Sequence, residues 1–347
     1  MTTIANTRRI DMSHEITIRD DGFAEAVYAR TPGWHLKGKT IKDRDLVEED
    51  MIPFIDFDPE MVSLYRQVAP GQFQLFESAK GIIRSDNGHE LSHVSPHYVP
   101  WGHLKAFPLL NSLMMDGIMK YEAAFTLRGG KDVVIVAQIP GKHEVAEGDV
   151  NLPFIMCLFN HTGQHRVRFL PTAIRPVCAN TVALALSQGK GQILSVRHSG
   201  DMELKMDKVR IALSEINSAF TSYTEVARKL SKIKITKPKW QEYLDVLFPV
   251  LPITDSEFST RKRNKALETR RQVYHNALND PAQQIPSTRH SWYAGFNAVT
   301  QWVDHHEHKG KNETTKAETK FRVANLGTGN DLKVKALHHA VRLSSTN

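Results

Sequence analysis

His89-Glu90-Leu91-Ser92-His93 spells a pattern that, on a helix, would hold a catalytic zinc. That chemistry needs both histidines one helical turn apart on one metal, with the glutamate as general base. The surroundings here are those of a strand: Ser85-Asp86-Asn87-Gly88 precedes the pattern and Pro96 follows closely. Along a strand, residues four apart are separated by about 13 Å, so the two imidazoles do not share an ion. Asp304-His305-His306-Glu307-His308, with His338-His339, is a second metal-like grouping. A helix end, where imidazoles face solvent and meet the favourable end of the dipole, accounts for it. Cys178 has the chemistry of a nucleophile, but a small cysteine in an apolar run is more commonly a core residue. Gly327-Thr328-Gly329 is too short for a dinucleotide loop. These residues give no catalytic, metal or cofactor site, and the chain is not read as an enzyme.

The sequence instead concentrates cations without anions. Residues 150–200 contain no Asp or Glu, but they hold Arg166, Arg168, Arg175, Lys190 and Arg197, with His161, His165 and His198. On a strand, Arg166 and Arg168 share one face and Val167 takes the other. Guanidinium forks bind phosphate oxygens in pairs, and Phe169 and nearby aromatics can stack on bases. A sheet face closed by salt bridges to acids from elsewhere is the competing reading. Residues 228–240 add Lys229, Lys232, Lys234, Lys237 and Lys239, again with no acid, and end on Trp240. The alternation of Lys232 and Lys234 with Ile233 and Ile235 predicts an extended segment with one basic face; a solvated surface is the alternative. Arg261-Lys262-Arg263, with Lys265, Arg270 and Arg271, forms a third cluster, on a predicted helix. The candidate nucleic-acid contacts are therefore Arg166, Arg168, Arg175, Arg197, His198, Lys232, Lys234, Lys237 and Lys239. A formal net charge of +7 agrees with a polyanionic partner.

The elements that must carry these residues can be outlined. Over 347 residues, 41% are hydrophobic and 24% charged, an ordinary globular balance. The longest apolar runs are strand length, far below the roughly 18–20 residues of a membrane span. The first residues are polar and predict no signal peptide, and two cysteines fit a reducing compartment. Residues 1–80 read as irregular. From there, Asn87-Gly88, the 128–132 turn and Asn160-His161-Thr162-Gly163 each separate two short apolar runs, which predicts hairpins. Residues 101–119 predict a helix that starts or kinks at Pro108, 177–186 a short apolar helix, and 192–197 a further strand. After 200 the period is helical, with helices expected to about 230 and over 239–247, 255–278, 292–306 and 332–343. Strands followed by helices argue an α+β fold, with a mainly antiparallel sheet over about 80–200 and a helical C-terminal region. The expected division is 1–80, 81–200 and 201–347.

Arg175-Pro176-Val177-Cys178-Ala179-Asn180-Thr181, followed by Ala183-Leu184-Ala185-Leu186, resembles a phage/plasmid-like protein family of unknown function. Met12-Ser13-His14-Glu15, Gly33-Trp34-His35, Val196-Arg197-His198-Ser199, the run from Asn297 to His305 and Gly327 to Lys333 agree with it. Pro176 departs from it, standing where that family more often carries an aliphatic residue. The resemblance implies a product of a phage, plasmid or prophage acting in the bacterial cytoplasm. By fold analogy alone, the strand-rich centre followed by helices is similar to phage single-strand annealing recombinases. That analogy implies single-stranded DNA (or RNA) as partner and a homo-oligomer, in the form of a ring. Two other classes stay open: an interaction protein that blocks a host enzyme, and a metal-dependent nuclease drawing carboxylates from residues 1–80.

Overall fold

The computed structural model describes residues 16–30, 38–141, 143–175, 180–183, 194–196, 207–208, 211, 213, 216–253, 256–305 and 328–346. Its N-terminal part is not irregular. It forms β1 (Ala26–Ala29), β2 (Lys39–Ile41), α1 (Glu48–Ile55), β3 (Pro59–Ala69) and β4 (Gln72–Arg84). Its charged side chains form ion pairs: Arg19 with Glu25, Arg44 with Asp50, and Arg30 with Asp45 and Glu122. Strands of three and four residues are too short to print a period.

Then follow β5 (Glu90–Val94), α2 (Phe107–Met115), β6 (Lys120–Leu127), β7 (Asp132–Gln138), β8 (His143–Ala146), β9 (Asp149–Asn160), β10 (Val167–Arg175), β11 (Asn180–Ala183) and β12 (Leu194–Val196). All three expected hairpins form, as β4–β5, β6–β7 and β9–β10. Pro108 stands in the first turn of α2, where its missing N–H costs nothing. Within 177–186, however, Asn180–Ala183 is a strand paired antiparallel with β10, not part of a helix. A short apolar run cannot separate the two periods, and β-branched Thr181 and Val182 suit a pleat.

The large sheet runs β11-β10-β9-β7-β6-β1-β2, with β12 on β10 and β8 on β9. It is mixed, because β1 and β2 are parallel. Register sorts its residues cleanly. Phe169, Cys157, Ile135, Ala124 and Val27 lie in one row and belong to the main core, while Leu170, Met156, Val136, Ala123 and Tyr28 form the next row on the opposite face. A separate three-stranded sheet, β3-β4-β5, carries a long hairpin.

Helices follow: α3 (Ile216–Lys232), α4 (Lys237–Leu247), α5 (Glu257–Asn279), α6 (Trp292–His305) and α7 (Thr328–Ser344). Their apolar faces join the sheet in one hydrophobic cluster that includes Phe220, Leu244, Val273, Trp292 and Leu343. Buried polar bonds fix the contact: Asn151 Nδ2 donates to the Tyr293 hydroxyl at 2.9 Å, and Thr288 Oγ1 to Asp149 at 3.1 Å. The α+β class holds. Among the described residues, no helix is long and apolar enough to cross a membrane.

Candidate nucleic-acid interface

Two deeply buried charges, Arg84 and Glu25, were not singled out by sequence. Arg84, 1% exposed, ends β4 and donates from both Nη atoms to the fully buried Glu25 carboxylate, at 3.0 and 2.8 Å. It also grips Asp86 through Nε and Nη2, at 2.9 and 2.8 Å. Arg19 and Thr126 donate to Glu25 as well. Burial pushes the Glu25 carboxyl up, but these hydrogen bonds, Arg84 first, outweigh it and hold the group below its ordinary value. The Arg84 guanidinium lies 4.0 Å above the Phe57 ring. Gly130, at φ +95°, makes room: a Cβ there would come within 2.9 Å of both Arg84 and Phe57. That is why the β6–β7 turn is Arg128-Gly129-Gly130 rather than any polar turn.

Phe57 also meets two buried imidazoles. His103 Nε2 lies 2.7 Å from the Ile55 carbonyl oxygen, so that nitrogen carries the proton. Nδ1 is then an acceptor, and His161 Nε2–H donates to it at 3.0 Å. Burial pushes the His103 pKa down to about 4, so the ring is neutral at physiological pH. With both rings almost fully buried, this centre positions the strands; it offers no surface to a substrate.

The basic stretches fall in different places. Val167 is buried in the main core and Arg168 points to the opposite face, opposite Leu158, while Arg166 precedes the strand and is exposed. Arg175 closes β10 by pairing with Asn180; its side chain, with Arg197 and His198, lies outside the described residues. The second stretch behaves as its alternation predicts. Residues 233–236 form an extended link between α3 and α4, bridged to the start of α6 through Lys234 and Ser291. Ile233 and Ile235 pack on the core. Lys234 Nζ donates to the Arg289 carbonyl at 2.6 Å, and Lys239 approaches Glu242 at 3.5 Å. Lys232 and Lys237 are exposed and form no ion pair among the described residues.

This link borders a cleft of about 240 Å³. Ile235, Thr236, Lys237 and Trp240 form one wall, Tyr274, Ala277 and Leu278 of α5 a second, and His290, Ser291, Ala294 and Gly295 the third. Trp240 and Tyr274 lie 5.7 Å apart. Trp240 reaches its place only because Gly295 has no side chain; a Cβ there would sit 2.6 Å from its ring. His290 holds a left-handed φ of 60°, a strained state for a side-chain-bearing residue. Arg271 stands one turn before Tyr274 on the same stripe of α5, and exposed Arg289 adjoins His290. Among the described residues, none of the lining is acidic. The space suits one planar ring rather than a drug-sized molecule. The third cluster is divided: Arg270 is bound to Asp245 and the Phe248 carbonyl, and Arg263 to the Leu251 carbonyl. Arg261, Lys265 and Arg271 are exposed.

The metal-like motifs stay apart. His89 lies in the turn and His93 on β5, where it meets Glu90 at 3.4 Å. Among the described residues, no group of three or more His, Cys, Asp or Glu is placed to hold a metal. His306, Glu307, His308 and Cys178 lie outside the described residues. Burial raises the pKa of the Cys157 thiol, which suits a core residue. Gly33-Trp34-His35-Leu36-Lys37-Gly38-Lys39-Thr40 has the spacing of a phosphate loop. Such a loop must open a helix; Lys39 and Thr40 instead begin strand β2. At Gly38 a Cβ would lie 2.4 Å from the Ala26 carbonyl oxygen, so this glycine serves close strand approach.

A family model described as a domain of unknown function, DUF932, matches residues 90–328. The chain belongs to this family. No curated protein and no solved structure matches it. The DUF932 span runs from β5 to the first residue of α7, and so holds the cleft, Arg166, Arg168 and every lysine of the 232–239 link. Arg84, Glu25 and the β3–β4 hairpin precede it. Two of the C-terminal motifs meet across its edge. Asp304, on α6 within DUF932, pairs with Lys333 of α7, which is fully buried. Burial lowers the Lys333 pKa, against the pull of Asp304. This pair is a packing device between two helices, with no exposed face.

Proposed function

We propose that the protein binds single-stranded nucleic acid, with the 232–239 link tracking phosphates and the Trp240–Tyr274 cleft receiving one base. The observation that carries this reading is an aromatic cleft with Lys237 and His290 in its wall and no acid in its lining. Single strands are held in this way, by a cationic path with aromatic rings on which bases stack, and a stack contributes about 1–3 kcal/mol per base. Annealing for a phage or other mobile element, in the bacterial cytoplasm, is the role we infer, with DNA as the first ligand and RNA as the second.

The test is a fluorescence-anisotropy titration of the full chain with labelled single-stranded DNA, single-stranded RNA and duplex DNA at two salt concentrations. Single strands should bind more tightly than duplex, with an affinity that falls as salt rises. No binding at low salt, or binding indifferent to salt, overturns the reading.

A further inference from the structure

The β3–β4 hairpin projects beyond the part that the sheet and core support. β5 covers β4 only at Lys80 to Ile83. From Tyr65 to Phe76 the two strands have only each other, with pairs Tyr65–Leu75, Arg66–Gln74 and Gln67–Phe73. The unsupported stretch is roughly 13 Å long at the strand rise, before the turn. It carries large apolar groups in solvent: Tyr65 at 62%, Val68 at 54% and Phe73 at 66% exposure, with Leu75 and Phe76 also exposed. A lone two-stranded ribbon is marginally stable, and an open apolar edge is a template for another strand.

We propose that the occupant is a second copy of this chain, its β3 laid antiparallel against β3 about a two-fold axis to make a four-stranded ribbon. Several observations select this partner. The outer edge of β3 is unpaired along all of Pro59–Ala69 among the described residues, whereas part of β4 is taken by β5. Antiparallel pairing of one edge with itself matches N–H to C=O and closes after two copies. Between Ser63 and Phe76 the one charged residue is Arg66, and its guanidinium donates to Gln74 at 2.9 Å within the ribbon. A polyanion finds little to hold there. A chain of net charge +7 can meet its like through this neutral arm while the two charged bodies stay apart. This inference does not rest on nucleic-acid binding.

Sedimentation velocity of the full chain, without nucleic acid, at micromolar concentrations should give twice the mass of one chain. The Tyr65→Lys/Val68→Lys variant should give a single mass with an unchanged circular dichroism spectrum, while Lys237→Ala should stay double. Hydrogen exchange of the wild type offers a check that needs no variant: amides of residues 62–69 should be protected at high concentration and exchange faster on dilution. A wild type of single mass, a charged variant that stays double, or arm exchange indifferent to concentration overturns the proposal.

Discussion

Arg84 and Lys237 are both cations beside an aromatic ring, yet the fold treats them in opposite ways. Arg84 has every guanidinium nitrogen on a carboxylate, lies over Phe57 and is cut off from water. Lys237 borders the Trp240–Tyr274 cleft, exposed and without an ion pair among the described residues. The first arrangement holds the three-stranded sheet to the large one, because Glu25 precedes β1 and Arg84 ends β4. The second leaves charge available to something absent from the fold. The difference teaches that a count of basic residues locates nothing by itself; what separates a site from a strut is whether the counter-charge is already inside the chain.

The sharpest way to break this comparison is to remove one member of the closed set. Arg84→Ala takes from buried Glu25 its one fully buried counter-charge, leaving only the part-exposed Arg19 and the Thr126 hydroxyl, and should lower unfolding free energy by about 3–5 kcal/mol in urea melts. Arg84→Met with Glu25→Leu should recover most of that loss, since the charges then left without a partner, Arg19 and Asp86, are part-exposed to water rather than buried. Lys237→Ala should stay within about 0.5 kcal/mol of wild type. An Arg84→Ala variant as stable as Lys237→Ala would erase the distinction.

His103 gives the next largest effect, through pH. Its folded pKa, about 4, lies below the ordinary 6.5. The unfolded chain therefore takes up a proton that the folded chain refuses. Stability is fully present above pH 6.5 and falls as pH drops from there towards 4, by up to about 3 kcal/mol from this group. The urea midpoint of wild type should fall over that window, while His103→Gln should start lower and vary less with pH. Parallel curves for the two proteins would show that His103 is not the titrating group.

How much of this was legible follows the same division. The hairpins β4–β5, β6–β7 and β9–β10 could be read because Asn87-Gly88, Gly129-Gly130 and Thr162-Gly163 punctuate apolar runs, and alternation correctly put Val167 inward and Arg168 on the other face. The 232–235 alternation correctly gave an extended segment with Ile233 and Ile235 inward and Lys234 exposed, but Lys232 closes α3 rather than belonging to it. Pairs formed across long separations were hidden. Nothing local at Glu25 announces Arg84, 59 residues away, and ionisable residues are normally expected outside. The strands before residue 80 escaped for two reasons. β1 is buried at all four positions, and the outer parts of β3 and β4 are exposed on both faces, so neither alternates. Trp240 was visible as the end of a basic run, but the cleft needs Tyr274 and Gly295, which only packing brings beside it.

Smaller effects sharpen the open half of the comparison. If Lys232 and Lys237 each neutralise a phosphate, Lys232→Ala/Lys237→Ala should weaken oligonucleotide binding alike for all sequences. The slope of log affinity against log salt should become shallower by roughly 1.4, at about 0.7 per contact on a single strand. Titrations over four salt concentrations measure this; an unchanged slope would remove these lysines from the path.

The smallest expected change separates strain from contact at the cleft rim. His290 sits at φ 60°, which costs an L-residue about 1–2 kcal/mol that glycine does not pay. Glycine also frees the unfolded chain, by about 0.4–1 kcal/mol. The two nearly cancel, so His290→Gly should shift the melting midpoint only slightly upward. What it removes is the imidazole from the cleft wall. Weaker oligonucleotide binding with near-constant stability would place that ring against the ligand. If His290→Gly and wild type bind alike, the strained residue serves the α6 turn alone, and the base-holding part of the cleft reduces to Trp240 and Tyr274.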